Sequence, residues 1–129
     1  MQARQAEHPQ CCVCGWPTEP GLGLRFSALG DGSIEGRFGC DARFEGYTGL
    51  LHGGITSAVL DGAMTNCLFA HGIVALTAEM TVRFKHPVVL NIPLVVRAHL
   101  VRSLRPLHMV EARIEQDGQL KAQATGKFM

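Results

Sequence analysis

The sequence predicts an α+β fold in which an antiparallel sheet of about six strands wraps one long central helix. Three observations carry this. Residues 53–70 are apolar and free of proline, too long for one strand and too short to span a membrane. Two strand-like runs precede that segment and four follow it. Asp31-Gly32 and Asp117-Gly118 are two-residue hairpin signals, one on each side.

The elements follow in order. Residues 1–21 are turn-rich, with Pro9, Gly15, Pro17, Pro20 and Gly21, and read as an irregular N-terminal segment. Leu22 to Leu29 alternates as a strand, and Ser33 to Cys40 returns from the Asp31-Gly32 turn. Residues 41–51 form a loop marked by Gly46 and Gly49. The helix then runs from Gly53 to about Ala70, with Ala, Leu and Met favouring it and His71-Gly72 stopping it. Four strand-like runs close the chain: Val74 to Phe84, Leu94 to Arg102, Met109 to Gln116 and Leu120 to Phe128. Apolar residues occur nearly all round the helix, so it is expected to be buried. One six-stranded sheet does not cover a helix on all sides. A homodimer with a continuous sheet would.

Composition bounds the function. The 129 residues fit one domain, residues 1–129. A net charge of +1 argues against nucleic acid as a partner, because phosphate neutralisation needs a clustered basic face. There is no run of roughly 18 apolar residues and no signal-peptide pattern, so neither a membrane span nor export is expected, and the cytoplasm is the default location. Five cysteines, an odd number, read as free thiols in a reducing compartment. Cys11 to Cys14 is a C-x-x-C, but no second ligand pair follows it; Cys40, Cys67, His52 and His71 are not spaced to complete a zinc site. No metal and no cofactor are expected.

Asp61 is the only formally charged residue between Glu45 and Glu79, and it stands in the middle of the predicted helix. A buried carboxylate is costly unless it is paired, hydrogen-bonded or functional. His52-Gly53-Gly54 lies where loop becomes helix. Helix N-termini present unpaired N–H groups, and glycine lets a ligand approach them; together they can polarise a carbonyl oxygen. Gly53 and Asp61 are eight residues apart, about 12 Å along a helix. They cannot both touch one carbonyl group from the same chain. Two antiparallel helices around a two-fold axis would bring Gly53 of one chain to Asp61 of the other.

Gly49 to Ile55 (Gly-Leu-Leu-His-Gly-Gly-Ile), followed by Leu60-Asp61, resembles the PaaI-like hotdog-fold thioesterases. Cys11 to Phe26 looks like the N-terminal signature of one branch, and Thr77 to Pro87 resembles the strand after its helix. The resemblance implies hydrolysis of an acyl-CoA to free acid and CoA by a homodimer or homotetramer. It implies Asp61 as the catalytic carboxylate, as base or nucleophile, with Gly53 as the polarising amide and His52 holding the loop. Substrate contacts are expected from Gly54, Glu45, Gly46, Thr65 and Glu79. Glu79 shares a strand face with Thr77 and Thr81 by alternation; Thr65 lies one helical turn beyond Asp61. Arg83, Lys85, Arg97, Arg102 and Arg105 are candidates for the CoA phosphates. Hydrolytic relatives often carry Asn or Gln before H-G-G, whereas Phe44-Glu45-Gly46-Tyr47 stands here. That departure keeps a non-catalytic acyl-CoA or lipid binder in view. A hydratase or dehydratase is disfavoured, since no histidine follows Asp61 until His71.

Overall fold

The computed structural model describes residues 6–15 and 21–129. The expectation of an irregular segment over residues 1–21, and the signature spanning Cys11 to Phe26, therefore fall partly outside the described residues. β1 (Phe26–Ala28) and β2 (Ile34–Phe38) lead through a short 3-10 turn, Ala42–Phe44, to helix α1 (Gly53–Ala70). β3 (Thr77–Phe84), β4 (Leu94–Leu104), β5 (Leu107–Gln116) and β6 (Gln119–Phe128) follow. The strands form one six-stranded sheet in the order β1-β2-β4-β5-β6-β3, with every pair antiparallel. This is the α+β hotdog architecture expected from the sequence.

Alternation on the strands decides which face meets the helix. In β5, His108, Val110, Ala112, Ile114 and Gln116 are buried, while Glu111 and Arg113 are exposed. β4 repeats this with Leu94, Val96 and Ala98 inside and Arg97 and His99 outside. Leu60, Met64 and Leu68, spaced four apart on α1, belong to the same core cluster and are at most 1 % exposed. Each fully buried side chain of this kind contributes about 1.5–3 kcal/mol.

Both hairpin signals fall at turns, but only the second is a two-residue loop: in the first, Gly30, Asp31 and Gly32 form a three-residue loop in which Gly32 alone takes positive φ, 88°. Asp31 Oδ1 accepts from the Ser33 N–H at 3.0 Å, and the Leu29 N–H donates to the Ser33 carbonyl at 2.8 Å. Asp117 and Gly118 both take positive φ, 50° and 77°, the pair a type I′ turn requires.

Two expectations are corrected. The first strand is shorter than Leu22 to Leu29: the N–H groups of Leu22 and Leu24 donate to the Cys12 and Val13 carbonyls, both at 2.7 Å, and so leave the β1–β2 ladder. The single sheet leaves one side of the helix open, as the sequence implies for one chain. Residues 62–69 are all buried, but Gly53 and Gly54 are exposed and Ser57, Ala58 and Asp61 are half-buried. At spacings of three and four, Gly54, Ser57, Ala58 and Asp61 form one open stripe. The second correction falls on β3, where Glu79 and Thr81 share the outer face, but Thr77 does not. A register shift between Thr77 and Glu79 sets Thr77 opposite Phe128, whose side chain is in the core, and Glu79 opposite Lys127, on the outer face.

Candidate active site

The loop before α1 is tied at both ends. The Leu51 N–H donates to Val88 O at 2.8 Å and the His52 N–H to Phe44 O at 2.9 Å. A Cβ on Gly46 would meet His52 Cα at 3.0 Å, so the loop packs against His52 at the limit of contact. His52 is the N-cap of α1: its Nδ1 accepts from the Gly54 N–H at 2.8 Å. That bond occupies the second of the two glycine amides. The Gly53 N–H has no acceptor among the described residues, lies on the exposed surface, and sits at the positive end of an 18-residue helix. Space remains beside it, since a Cβ there would meet only the Phe84 ring, at 3.8 Å.

Asp61 lies two turns further along the open stripe. The bulge at the start of β3 turns Thr77 toward it, and the Thr77 hydroxyl donates to Asp61 Oδ1 at 2.7 Å. The carboxylate is thus half-buried and held in one orientation, rather than sealed in the core. Thr77 is the functional neighbour that the spacing missed. Its contact depends on a bulge that no glycine or proline marks.

Other expected site residues are placed less directly. Thr65 is 7 % exposed and packs inside α1. Glu45 Oε1 accepts from the Gly49 N–H at 2.8 Å, so its carboxylate braces its own loop. Glu79 points to the outer face, 3.9 Å from Lys127 Nζ, on the opposite side of the sheet from Asp61. Arg83 and Arg97 line, with Arg113 and His99, an outer-face cleft of about 420 Å³ that contains none of His52, Gly53 or Asp61. Lys85, Arg102 and Arg105 are exposed elsewhere. Met64, Leu68 and Phe69 are core, as their spacing suggested. Asn66, behind the site, donates to Gly62 O at 2.9 Å, while its buried Oδ1 has no partner among the described residues.

A single sheet curled round one helix, with a carboxylate at mid-helix and an open amide at the helix start, defines a hotdog protein of the PaaI-like type. The chain belongs to the thioesterase superfamily, whose family model matches residues 48–123. That match includes His52, Gly53, Asp61 and Thr77. Among solved structures it is similar to a thioesterase superfamily protein, RHA08564, at a TM-score of 0.89 and 24 % identity. The alignment covers 93 % of this chain but only 63 % of that one, so this chain spans under two thirds of the larger protein. A phenylacetic acid degradation-related protein from Ralstonia eutropha JMP134 matches at 29 % identity and a TM-score of 0.76, covering 84 % of this chain and 85 % of the other. A Streptococcus mutans UA159 protein bound to acetyl CoA shares the fold at 18 % identity and a TM-score of 0.77, over 82 % and 86 % of the two chains. Among the curated proteins, none matches the chain. No helix among the described residues is long and apolar enough to cross a membrane.

Proposed function

We propose that the protein is an acyl-CoA thioesterase that releases a free acid and CoA, with Asp61 as its catalytic carboxylate and Gly53 as its carbonyl-polarising amide. The observation that carries this is the open stripe on α1, with a free amide at its head and an oriented carboxylate at its end. The thioester oxygen accepts from the Gly53 N–H. That contact stabilises the negative charge that develops when the carbonyl carbon is attacked. Asp61 then either takes a proton from an attacking water or attacks the carbon itself. In the first route the water oxygen forms the new C–O bond, the C–S bond breaks, and the proton passes through Asp61 to the departing sulfur. Membership of the thioesterase superfamily and a CoA-ester-bound fold relative support the substrate class.

The two groups act from different protomers of a homodimer, since one helix holds them about 12 Å apart. The edge strand β3 supports this. It ends the sheet, and Leu76, just before it, and Phe84, its last residue, are 78 % and 58 % exposed. Pairing with a second copy would cover both them and the stripe, leaving room for a substrate between helices. His52 sets the Gly53 amide through its bond to Gly54; Glu45, Gly46 and Thr65 shape the wall. Glu79 contributes to substrate binding only from the partner's side of such an interface.

Incubation with a panel of acyl-CoAs, with detection of free thiol, tests the activity against Asp61→Ala. Thiol release that disappears in the variant supports catalysis. CoA-ester binding without release from any substrate would instead identify a non-catalytic binder. Water addition to an enoyl-CoA would support a hydratase.

A further inference from the structure

Outside the candidate active site, one group of chemistry-bearing side chains converges. His8, Cys11 and Cys14 each offer a ligand atom, and the three atoms lie within 4.8 Å of one another. The third ligand precedes the C-x-x-C rather than following it. His8, Cys11 and Cys14 form an even H-x-x-C-x-x-C series.

The spacing of the atoms fits a metal. Zinc holds sulfur at about 2.3 Å and imidazole nitrogen at about 2.0–2.1 Å in a tetrahedron, which sets sulfur and nitrogen about 3.6 Å apart. Cys14 Sγ and His8 Nδ1 are 3.6 Å apart. None of the five cysteines is in a disulfide. The turn also prepares Cys11 as a ligand: the Val13 N–H points at Cys11 Sγ at 3.4 Å, and Gly15 N–H donates to Cys11 O at 2.8 Å, closing the loop. Backbone N–H donors of this kind orient a ligating sulfur.

We propose that His8, Cys11 and Cys14 bind one zinc ion, which staples the N-terminal segment to the back of α1. Two sulfurs and one imidazole supply three positions of a tetrahedron, and the fourth falls to a water. On binding, both thiols give up their protons to solvent, so the bound unit carries no net charge at the metal. The staple acts on the helix at two points. Val13, between the cysteines, is buried, and a Cβ on Gly62 would stand 2.5 Å from its Cγ1. The His8 ring meets Phe69 edge-on, with centroids 5.0 Å apart. The carbonyls of Cys12 and Val13 hold Leu22 and Leu24. Those contacts explain why the first strand is short. Gly62 directly follows Asp61, so the metal would hold the helix segment that carries the carboxylate.

The test uses the full chain, stripped with a chelator and titrated with zinc alone or cobalt alone. One metal per chain is expected, with the visible absorption of tetrahedral cobalt bound to thiolate. Cys11→Ser and Cys14→Ser should each lower zinc affinity at least tenfold, while Cys12→Ser leaves it unchanged. Zinc should also raise the unfolding temperature of the wild type and not of Cys14→Ser. If the variants fail to fold, the cobalt spectrum of the wild type still decides. A wild-type chain without thiolate–cobalt absorption, or with affinity unchanged in both serine variants, overturns the proposal; the three side chains then form an ordinary thiol–imidazole contact. Asp61→Asn should keep full metal content, so loss of turnover and loss of the metal are separate results.

Discussion

The two halves of α1 have different fates. From Gly62 to Phe69 every residue is buried, against β4 and β5 on one side and the His8–Val13 segment on another. From Gly53 to Asp61 the burial is broken by a stripe of small and polar residues. The C-terminal half gives the domain its core. The N-terminal half keeps a free amide and an oriented carboxylate within reach of solvent. Chemistry needs a group that is held but not sealed, and the contrast between halves separates the two conditions along one element.

The contrast can be broken by substitution, starting with the open half. Asp61→Asn should lower kcat/KM by about 10²–10⁴-fold while moving the unfolding temperature little, because the side chain is nearly isosteric and half-exposed. Steady-state thiol release beside a thermal melt checks both. Gly53→Pro is the sharper companion. Proline is accepted at the first helical position, and His52, at φ −59° and ψ 135°, already has the extended backbone that precedes proline. The variant should fold, lose the amide, and drop kcat by about 10²–10³-fold. If turnover survives, the amide is not the polarising group.

The buried half should respond in stability instead. Gly62→Ala places a Cβ 2.5 Å from Val13 Cγ1. It should cost about 1–3 kcal/mol by overpacking, read by denaturant unfolding. A cost near zero would mean that the N-terminal segment does not bear on the helix. Thr77→Val should lower kcat about tenfold at unchanged stability, since it removes the Thr77 hydrogen bond that orients the carboxylate. The smallest effect is one of reactivity. Burial pushes the thiols of Cys40 and Cys67 up to about 11 from an ordinary 9.0, whereas Cys12 is exposed. At neutral pH a thiol reagent should label Cys12 at once and reach Cys40 and Cys67 only on unfolding. Rapid labelling of all three in the native protein would contradict their placement.

Much of this was legible from residues alone. Length, freedom from proline and the His71-Gly72 stop marked the helix, and the Asp-Gly pairs marked both hairpins, because those signals are local. Asp61 stood out as a lone charge in an apolar run. What escaped notice depends on distant partners. Leu22 and Leu24 read as strand by alternation, yet their N–H groups go to the Cys12 and Val13 carbonyls. The β3 bulge reverses the face of Thr77 without any residue type that announces it. Glu45 stands where an amide donor is expected, but its carboxylate closes its own loop on Gly49. His8 lies six residues before Cys14 and joins it only because the chain turns back.

The most direct measurement of the shared site mixes two defective chains. Asp61→Asn and Gly53→Pro should each be nearly inactive alone. After subunit exchange at equal amounts, half of the dimers are hybrid, and each hybrid has one site with an intact amide and an intact carboxylate. Turnover should return to about a quarter of the wild-type level. A mixture no more active than its two components would contradict a site built across the two protomers.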